Sequence, residues 1–236
     1  MSGERVVLIT GASGALGRVA VRAFAADGAS LGLAGTNPER LAAVAAEAGL
    51  PDDRWVPAIG DLREAGAARE IVAAVTDRFG RVDVLLHLVG GFVPGAPITE
   101  LDEDRLRAML DQHLWTTLHA ARAVVPGMIE RGWGRILAVT SFTTATTPAR
   151  AGIYAVTKGA QETLLKVLAK ECAGTGVTVN LVAVRAIDTG HVRDAEPNPK
   201  TAAWSTPEEI LATLGFLASD AADAINGARI PLDGNA

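Results

Sequence analysis

The segment VVLITGASGALG, residues 6–17, decides the fold of this chain. Its apolar start predicts a buried strand, and residues 16–26 continue with helical spacing, so the glycines fall between a strand and a helix. Gly11 permits the tight turn, Gly14 leaves room for the backbone to approach a pyrophosphate, and Gly17 lets the helix pack closely on the strand. The segment therefore predicts a dinucleotide-binding loop. A purely steric role for the glycines is the alternative.

Apolar runs alternate with helix-period segments along the whole 236-residue chain. The predicted strands are residues 6–9, 31–34, 55–58, 82–89, 136–139, 177–183 and 229–232. The predicted helices are residues 16–26, 64–79, 101–129 and 152–173, with two more beginning at Pro38 and Pro207, and with Pro126 near a bend or end of the longest. Such alternation predicts an α/β fold whose parallel sheet is covered by helices on both faces. We expect one domain over residues 1–236, with the Pro-, Asp- and Asn-rich stretch 188–205 as a substrate lid.

Composition excludes several classes of protein. Hydrophobic residues make up 49% of the chain and charged residues 21%, with a net charge of −5. This balance fits a globular protein and lacks the basic footprint of a nucleic-acid binder. The single cysteine, Cys172, rules out an internal disulfide and a Cys-cluster metal site. No apolar run approaches the ~18 residues of a membrane span, and we predict a cytoplasmic protein without a metal.

Small or polar residues follow most of the predicted strands. These residues are Thr36, Asn37, Asp61, Gly90, Gly91, Ser141 and Thr189. In open α/β sheets a ligand binds beyond the carboxyl ends of the strands, where such residues converge. Asp61 could accept a hydrogen bond from an adenine amino group there, or it could cap the helix that begins near Glu64.

Three residues have the chemistry that carbonyl reduction needs. Tyr154 is the only tyrosine, Lys158 lies four residues later on the same helix face, and Ser141 ends the fifth strand. A hydride that reaches a carbonyl carbon leaves an alkoxide, which a phenol can protonate, but an ordinary phenol pKa of ~10 is too high for easy exchange at neutral pH. We expect the ammonium of Lys158 to lower the pKa of Tyr154 by ~1–3 units, and Ser141 to hold the carbonyl oxygen. A surface Tyr–Lys pair is the alternative.

Together these motifs resemble the short-chain dehydrogenase/reductase superfamily, as a 3-oxoacyl-reductase-like member, from Val6 to about Gly234. The resemblance rests on the glycine loop, Asp61, the Ser141–Tyr154–Lys158 set, Val179-Asn180, Pro207-Glu208-Glu209 and Asp233-Gly234. It implies a Rossmann-type, doubly wound seven-stranded parallel sheet in the order 3-2-1-4-5-6-7. It also implies an NAD(P)(H)-dependent oxidoreductase that interconverts a ketone and a secondary alcohol. Homotetramers or homodimers, pairing through helices 101–129 and 152–173, are implied as well.

The resemblance also assigns residues to the site. The implied catalytic residues are Ser141, Tyr154 as general acid/base, Lys158 and, at the family's fourth catalytic position, His113. The implied cofactor-binding residues are Gly11, Ser13, Gly14, Leu16, Gly17, Thr36, Asn37, Asp61, Leu62, Val89, Gly90, Tyr154, Lys158, Ile187 and Thr189.

Three positions depart from the family pattern. The family's Asn-Asn-Ala-Gly after the fourth strand is His87-Leu88-Val89-Gly90 here, and its Pro-Gly after the sixth strand is Val184-Arg185. His113 replaces an Asn whose backbone carbonyl holds a water in a proton relay from the lysine. This His could preserve the carbonyl, titrate and block the relay, or be a packed histidine. Arg185 could recognise an anionic group or be ion-paired.

The sequence predicts the cofactor and the substrate less specifically than the fold. An acid at the end of the second strand would bind the ribose 2′-hydroxyl of NAD, but Gly35 stands there. NADP(H) is therefore favoured, with NAD(H) left open and Arg40 as a candidate cation. Residues 190–205 are expected to form one wall of a substrate pocket, and the other wall is expected to contain Phe92, Val93, Phe142 and Thr143. Small apolar carbonyl compounds suit such a pocket, and its arginines leave an anionic group open. The alternative function is a cofactor-binding regulatory or scaffold protein with little turnover.

Overall fold

A computed structural model describes residues 5–233, and its sheet has seven parallel strands. The strands are β1 Val6–Thr10, β2 Ser30–Gly35, β3 Trp55–Ile59, β4 Val84–His87, β5 Gly134–Ser141, β6 Val177–Val184 and β7 Arg229–Leu232. They lie in the order β3-β2-β1-β4-β5-β6-β7, and each neighbouring pair is parallel. This confirms the predicted Rossmann-type α/β fold. Gly234 of the C-terminal motif lies outside the described residues.

Helices cover both faces of the sheet. They are α1 Ala15–Ala26, α2 Pro38–Glu47, α3 Ala65–Phe79, α4 Glu103–Leu110, α5 Thr116–Arg131, α6 Thr143–Thr146, α7 Gly152–Glu171, α8 Val192–Ala195 and α9 Pro207–Leu217. Because side chains alternate along a strand, β1 contributes to two apolar clusters: Ile9 belongs with Phe24 of α1 to one, and Leu8 with Ile71 of α3 to the other. The first cluster also includes residues of α2 and α9, and the second includes residues of α5 and α7. The doubly wound arrangement is thereby explained.

The predicted helix 101–129 lies at residues 103–131 in the structure and is interrupted by a π-helical turn. Helix α4 leads directly into the turn Asp111–Trp115, which leads into α5. Pro126 lies inside α5, and the helix ends instead at Gly132, whose φ of 71° is left-handed. A π turn inserts one residue relative to an α-helix and is frequent at functional sites. Here it contains His113, which is fully buried.

The predicted strand 82–89 is shorter in the structure, where β4 ends at His87. The Leu88 N–H still donates to the carbonyl of Thr10, at 3.2 Å. Beyond it the chain passes against the glycine turn, because a Cβ at Gly11 would stand 3.1 Å from the Leu88 carbonyl carbon. Strand pairing ends where the two backbones meet at this turn.

Residues 188–205 contain one short regular element, α8. The segment is held at both ends, because Ile187 forms a parallel bridge with Ser205 and Arg193 donates to the carbonyl of Trp204 at 2.8 Å. Arg193 also forms an ion pair with Glu209 of α9, at 2.8 Å. Within residues 5–233, no helix has the length and apolar character needed to cross a membrane.

Candidate active site

The glycine loop forms a cradle in which the backbone of α1 approaches the preceding turn closely. Gly11 has a φ of 68°, which glycine adopts without steric cost. A Cβ at Gly17 would stand 2.2 Å from the Gly11 carbonyl oxygen and 2.6 Å from the Ala12 carbonyl oxygen. Gly14 precedes the first residue of α1, so the free N–H groups of that helix face the loop. The free N–H groups of this cradle fit a dinucleotide pyrophosphate. A side chain at Gly17 would push the helix and the turn apart.

A cavity of about 410 Å³ lies beside this loop. Its lining includes six of the predicted cofactor-binding residues, which are Gly11, Ser13, Thr36, Asp61, Leu62 and Val89. Asn37 instead caps α2, because its side-chain oxygen accepts the N–H of Arg40 at 2.7 Å. Among the described residues, the lining does not include Gly14, Leu16, Gly17, Asn37, Gly90, Ile187 or Thr189. The cavity therefore brings together the residues after β1, β2, β3 and β4, as the strand-end argument predicted.

Arg63 is a lining residue that the sequence analysis missed. Its guanidinium binds both carboxylate oxygens of Asp61, with N–O distances of 2.5–3.0 Å. Hydrogen bonding to Arg63 is the main reason that the pKa of Asp61 lies below its ordinary value. Asp61 also accepts the Arg63 N–H, whereas the residue that precedes α3 is Glu64. The sequence offered one signal for Arg63, which is its position two residues after Asp61, the predicted adenine ligand.

A second cavity, of about 260 Å³, contains Tyr154 in its wall. Phe92, Val93 and Thr143 line it too, as the sequence predicted for one wall of the substrate pocket. Among the described residues, neither Phe142 nor any residue of 190–205 belongs to this lining. The guanidinium of Arg185 instead lies over the Phe142 ring, 4.9 Å from its centre.

Ser141 reaches Tyr154 from the end of β5. The hydroxyl oxygen of Ser141 accepts hydrogen bonds from the N–H of Thr143 at 3.2 Å and from its hydroxyl at 3.0 Å. Burial raises the pKa of Tyr154 above its ordinary value, and hydrogen bonding with Ser141 partly offsets that rise. The expected lowering of this pKa by Lys158 is therefore wrong. Desolvation of the phenolate outweighs the favourable interactions.

Lys158 points into the protein interior. Its ammonium donates to the carbonyl of Val139 at 3.0 Å and to the side-chain oxygen of Gln161 at 2.9 Å. Burial lowers the pKa of Lys158 to about 8. The ammonium nitrogen lies beside Gly90, 3.6 Å from the point where a Cβ at that residue would stand. One of its three N–H groups remains for a ligand there.

His113 is a neutral, hydrogen-bonded histidine. Its Nε2 accepts the Gly91 N–H at 3.2 Å, so Nδ1 carries the proton and donates to the Thr157 hydroxyl at 2.9 Å. Burial, reinforced by Lys158, lowers the pKa of His113 to about 3. Its backbone carbonyl accepts the Thr117 hydroxyl at 2.6 Å. The burial and the hydrogen bonds of both ring nitrogens fit the packed-histidine interpretation.

His87 is also neutral, and both of its ring nitrogens are hydrogen-bonded. The Thr116 hydroxyl donates to the Gln112 carbonyl, so it accepts the Nε2 proton of His87, at 3.3 Å. Nδ1 then accepts the Thr10 hydroxyl at 2.9 Å. Burial lowers the pKa of His87 to about 3.

The two neutral histidines should make stability depend on pH. In the folded protein both pKa values are about 3, against an ordinary value of 6.5, so the unfolded chain binds more protons between these values. We therefore expect the free energy of unfolding to fall by roughly 4 kcal/mol between pH 7 and pH 5, half of it from each histidine. Urea unfolding at a series of pH values measures this loss.

The variant His87→Gln serves as the control for this dependence. It removes one buried titrating group and should reduce the pH dependence by about half. Equal unfolding free energies at pH 5 and pH 7 would contradict the neutral assignment of both buried histidines.

Comparison with known proteins identifies the class that this fold and site define. A family model described as short chain dehydrogenase matches residues 5–200, and the chain belongs to this family. The members that it resembles are dehydrogenases that act on CH–OH donors, and this chain is an oxidoreductase of that kind. Among the residues described, no group of His, Cys, Asp and Glu could hold a metal ion.

Individual relatives match over nearly their full length. The chain is 32% identical over 238 residues to the (2S)-[(R)-hydroxy(phenyl)methyl]succinyl-CoA dehydrogenase subunit BbsC of Thauera aromatica, covering 96% of this chain and 92% of that protein. It is 33% identical over 243 residues to the meso-2,3-butanediol dehydrogenase of Serratia marcescens, covering 99% and 94%. The solved structure of levodione reductase superposes with a TM-score of 0.87 at 27% identity, covering 98% and 96%.

Proposed function

We propose that this protein is an NAD(P)(H)-dependent oxidoreductase that interconverts a ketone and a secondary alcohol in the cavity beside Tyr154. The observation that carries the proposal is the pair of cavities: one adjoins the glycine loop, and the other has the only tyrosine of the chain in its wall. The names of two relatives, a butanediol dehydrogenase and a levodione reductase, support a hydroxyl or carbonyl substrate.

The proposed roles follow from where the side chains lie. The bound dinucleotide would supply or accept the hydride. Tyr154 would give its phenolic proton to the oxygen of the reduced carbonyl, or take that proton back in the reverse direction. Ser141 would hold the same oxygen, since its hydroxyl can donate while it accepts from Thr143. Lys158 would use its free N–H to bind the nicotinamide ribose, and the nearby positive charge would then favour the phenolate.

We propose that the cofactor is NADP(H). The cavity is lined by Gly35 and Thr36 at the end of β2, so no acid from this strand end opposes a 2′-phosphate. Arg63 belongs to the same lining, whereas Arg40 does not appear among the lining residues described. We therefore expect NADPH to bind more tightly than NADH.

The substrate cavity suits a small, mainly apolar carbonyl compound. Phe92, Val93 and Ile153 supply apolar surface, and Arg150 is the one charged residue among the described lining residues. We further propose residues 1–236 as a single domain in the cytoplasm, with 188–205 as its lid. A homotetramer or homodimer that pairs through α4, α5 and α7 is supported by Val156 and Val167, which are exposed on one face of α7.

Two measurements on the purified protein test this function. NADPH and NADH are titrated by fluorescence, and their oxidation is then followed with a panel of ketones and 3-oxoacyl thioesters. We expect binding of at least one dinucleotide and reduction of at least one carbonyl compound. Tight binding without turnover on any panel member would favour the regulatory or scaffold alternative. Failure of both dinucleotides to bind would overturn the proposal.

A further inference from the structure

Gln161 lies directly behind the site, on the same helix as Tyr154 and Lys158. Its side chain is fully buried, which is rare for a glutamine and requires hydrogen-bonding partners. The side-chain oxygen accepts the Lys158 ammonium at 2.9 Å, and the side-chain nitrogen donates to the Thr117 hydroxyl at 2.8 Å. The same nitrogen lies 3.5 Å from the carbonyl oxygen of His113. The carboxamide therefore joins the lysine to the π-helical turn.

The partners fix which way round this carboxamide lies. An ammonium only donates hydrogen bonds, so the oxygen of Gln161 must face Lys158. The hydroxyl proton of Thr117 is committed to the His113 carbonyl at 2.6 Å, so this hydroxyl accepts from the nitrogen of Gln161. A reversed amide would place donor against donor at the Lys158 end and acceptor against acceptor at the Thr117 end. The carboxamide therefore has one favoured orientation, and its oxygen fixes the position of the lysine nitrogen.

From this geometry we infer that Gln161 is a positioning residue for Lys158. Its carboxamide lies between the ammonium and the His113 carbonyl, with the oxygen toward the ammonium and the nitrogen toward the carbonyl. Gln161 thus anchors the lysine nitrogen through a direct hydrogen bond.

Gln161 is the neighbour of Lys158 whose replacement should change the pKa of the ammonium, because the other titratable groups around the lysine are neutral or already hydrogen-bonded. His87 on β4 and His113 on the π-helical turn face the lysine, and both are neutral near pH 7. Glu162 of α7 acts on the ammonium through its charge, but its carboxylate is bound by the Thr140 and Thr144 hydroxyls at 2.7 and 2.6 Å. Besides the Val139 carbonyl, Gln161 is the direct acceptor of the ammonium.

Titration of Lys158 by NMR tests this inference without any substrate. The chain has four lysines, at positions 158, 166, 170 and 200, so ¹³C labelling at Cε gives a spectrum that can be assigned. Lys→Arg substitution at the three exposed positions assigns their signals and leaves that of Lys158. Gln161→Met keeps the side-chain length but removes the acceptor, and should lower the titration midpoint of Lys158 by about one unit or more. Gln161→Glu places a carboxylate there, and should raise the midpoint by at least as much.

The matched control is Gln112→Met. The amide of Gln112 donates to the Gly90 carbonyl at 3.0 Å and does not touch the lysine, so the Lys158 midpoint should stay at its wild-type value. Opposite shifts in the two Gln161 variants support the inference. Unchanged midpoints, or shifts in the same direction, overturn it, and Gln161→Glu alone decides if Gln161→Met does not fold.

The role in catalysis rests on the proposed function and has a separate readout. The pH dependence of kcat should move in the same direction as the Lys158 midpoint in each variant, while the dinucleotide Kd changes little. Absence of turnover in the wild-type protein with every carbonyl compound would refute the proposed function. The NMR midpoints would still decide whether Gln161 positions Lys158.

Discussion

Tyr154→Phe is expected to lower kcat by about 10²–10⁴-fold, the usual contribution of a positioned general acid. The change removes only the phenolic hydroxyl, so the alkoxide formed from the carbonyl would have to take its proton from water. The ring, which packs edge-on against Phe92 with centres 5.3 Å apart, should stay in place. Steady-state kinetics with any accepted ketone measures the loss, and fluorescence titration should show a dinucleotide Kd close to that of the wild type.

The control for this variant is Thr146→Val. Thr146 is exposed after β5, and its hydroxyl donates to the backbone carbonyl of Phe142. It does not line the cavity beside Tyr154, so the substitution removes a hydroxyl outside that cavity. We expect wild-type kcat. If Tyr154→Phe reduced every accepted substrate at the wild-type rate, Tyr154 would not be the proton donor.

Burial holds the pKa of Tyr154 above its ordinary value, so the phenol keeps its proton at neutral pH. A reductive step uses this form, because the phenol must give a proton. Oxidation of an alcohol uses the phenolate, which requires an additional positive charge.

The fold could be predicted from the sequence because its signals are local and repeated. Each strand is a short apolar run, and each is followed by a segment with helical period. The π-helical turn Asp111–Trp115 could not be predicted this way, because one inserted residue barely changes the spacing of apolar side chains over a long helix. It depends instead on the buried bonds of His113 to Gly91 and Thr157.

The site was predicted in its chemistry but not in its electrostatics. Ser141 lies close enough to Tyr154 to influence its pKa, as the strand-end and helix-face geometry predicted. The partners of Lys158 were missed, because Gln161 is a polar residue in a helix, which in a sequence indicates a solvated face. Its burial arises only when α7 packs against the π-helical turn and β5. The pKa of Tyr154 was predicted in the wrong direction for the same reason, since sequence spacing does not reveal the burial of a side chain.

Gly17→Ala is expected to weaken dinucleotide binding by about 100-fold, or about 3 kcal/mol. The added Cβ would stand 2.2 Å from the Gly11 carbonyl oxygen and 2.6 Å from that of Ala12. Both contacts are with backbone, which cannot rotate away as a flexible side chain can. Either α1 or the turn must move, and the N–H groups at the start of α1 then no longer point at the pyrophosphate. Fluorescence titration with NADPH and NADH measures the loss in affinity.

Gly215→Ala is the matched control, because it makes the same substitution at a helical glycine with no neighbouring atom within 4 Å of the new Cβ. There we expect unchanged dinucleotide affinity and a gain of roughly 0.5–1 kcal/mol in the free energy of unfolding, since alanine loses less conformational freedom than glycine in a helix. Circular dichroism of Gly17→Ala shows whether the sheet remains intact while affinity is lost. Wild-type affinity in a folded Gly17→Ala protein would mean that the pyrophosphate does not depend on this loop, and the dinucleotide would then have to bind elsewhere.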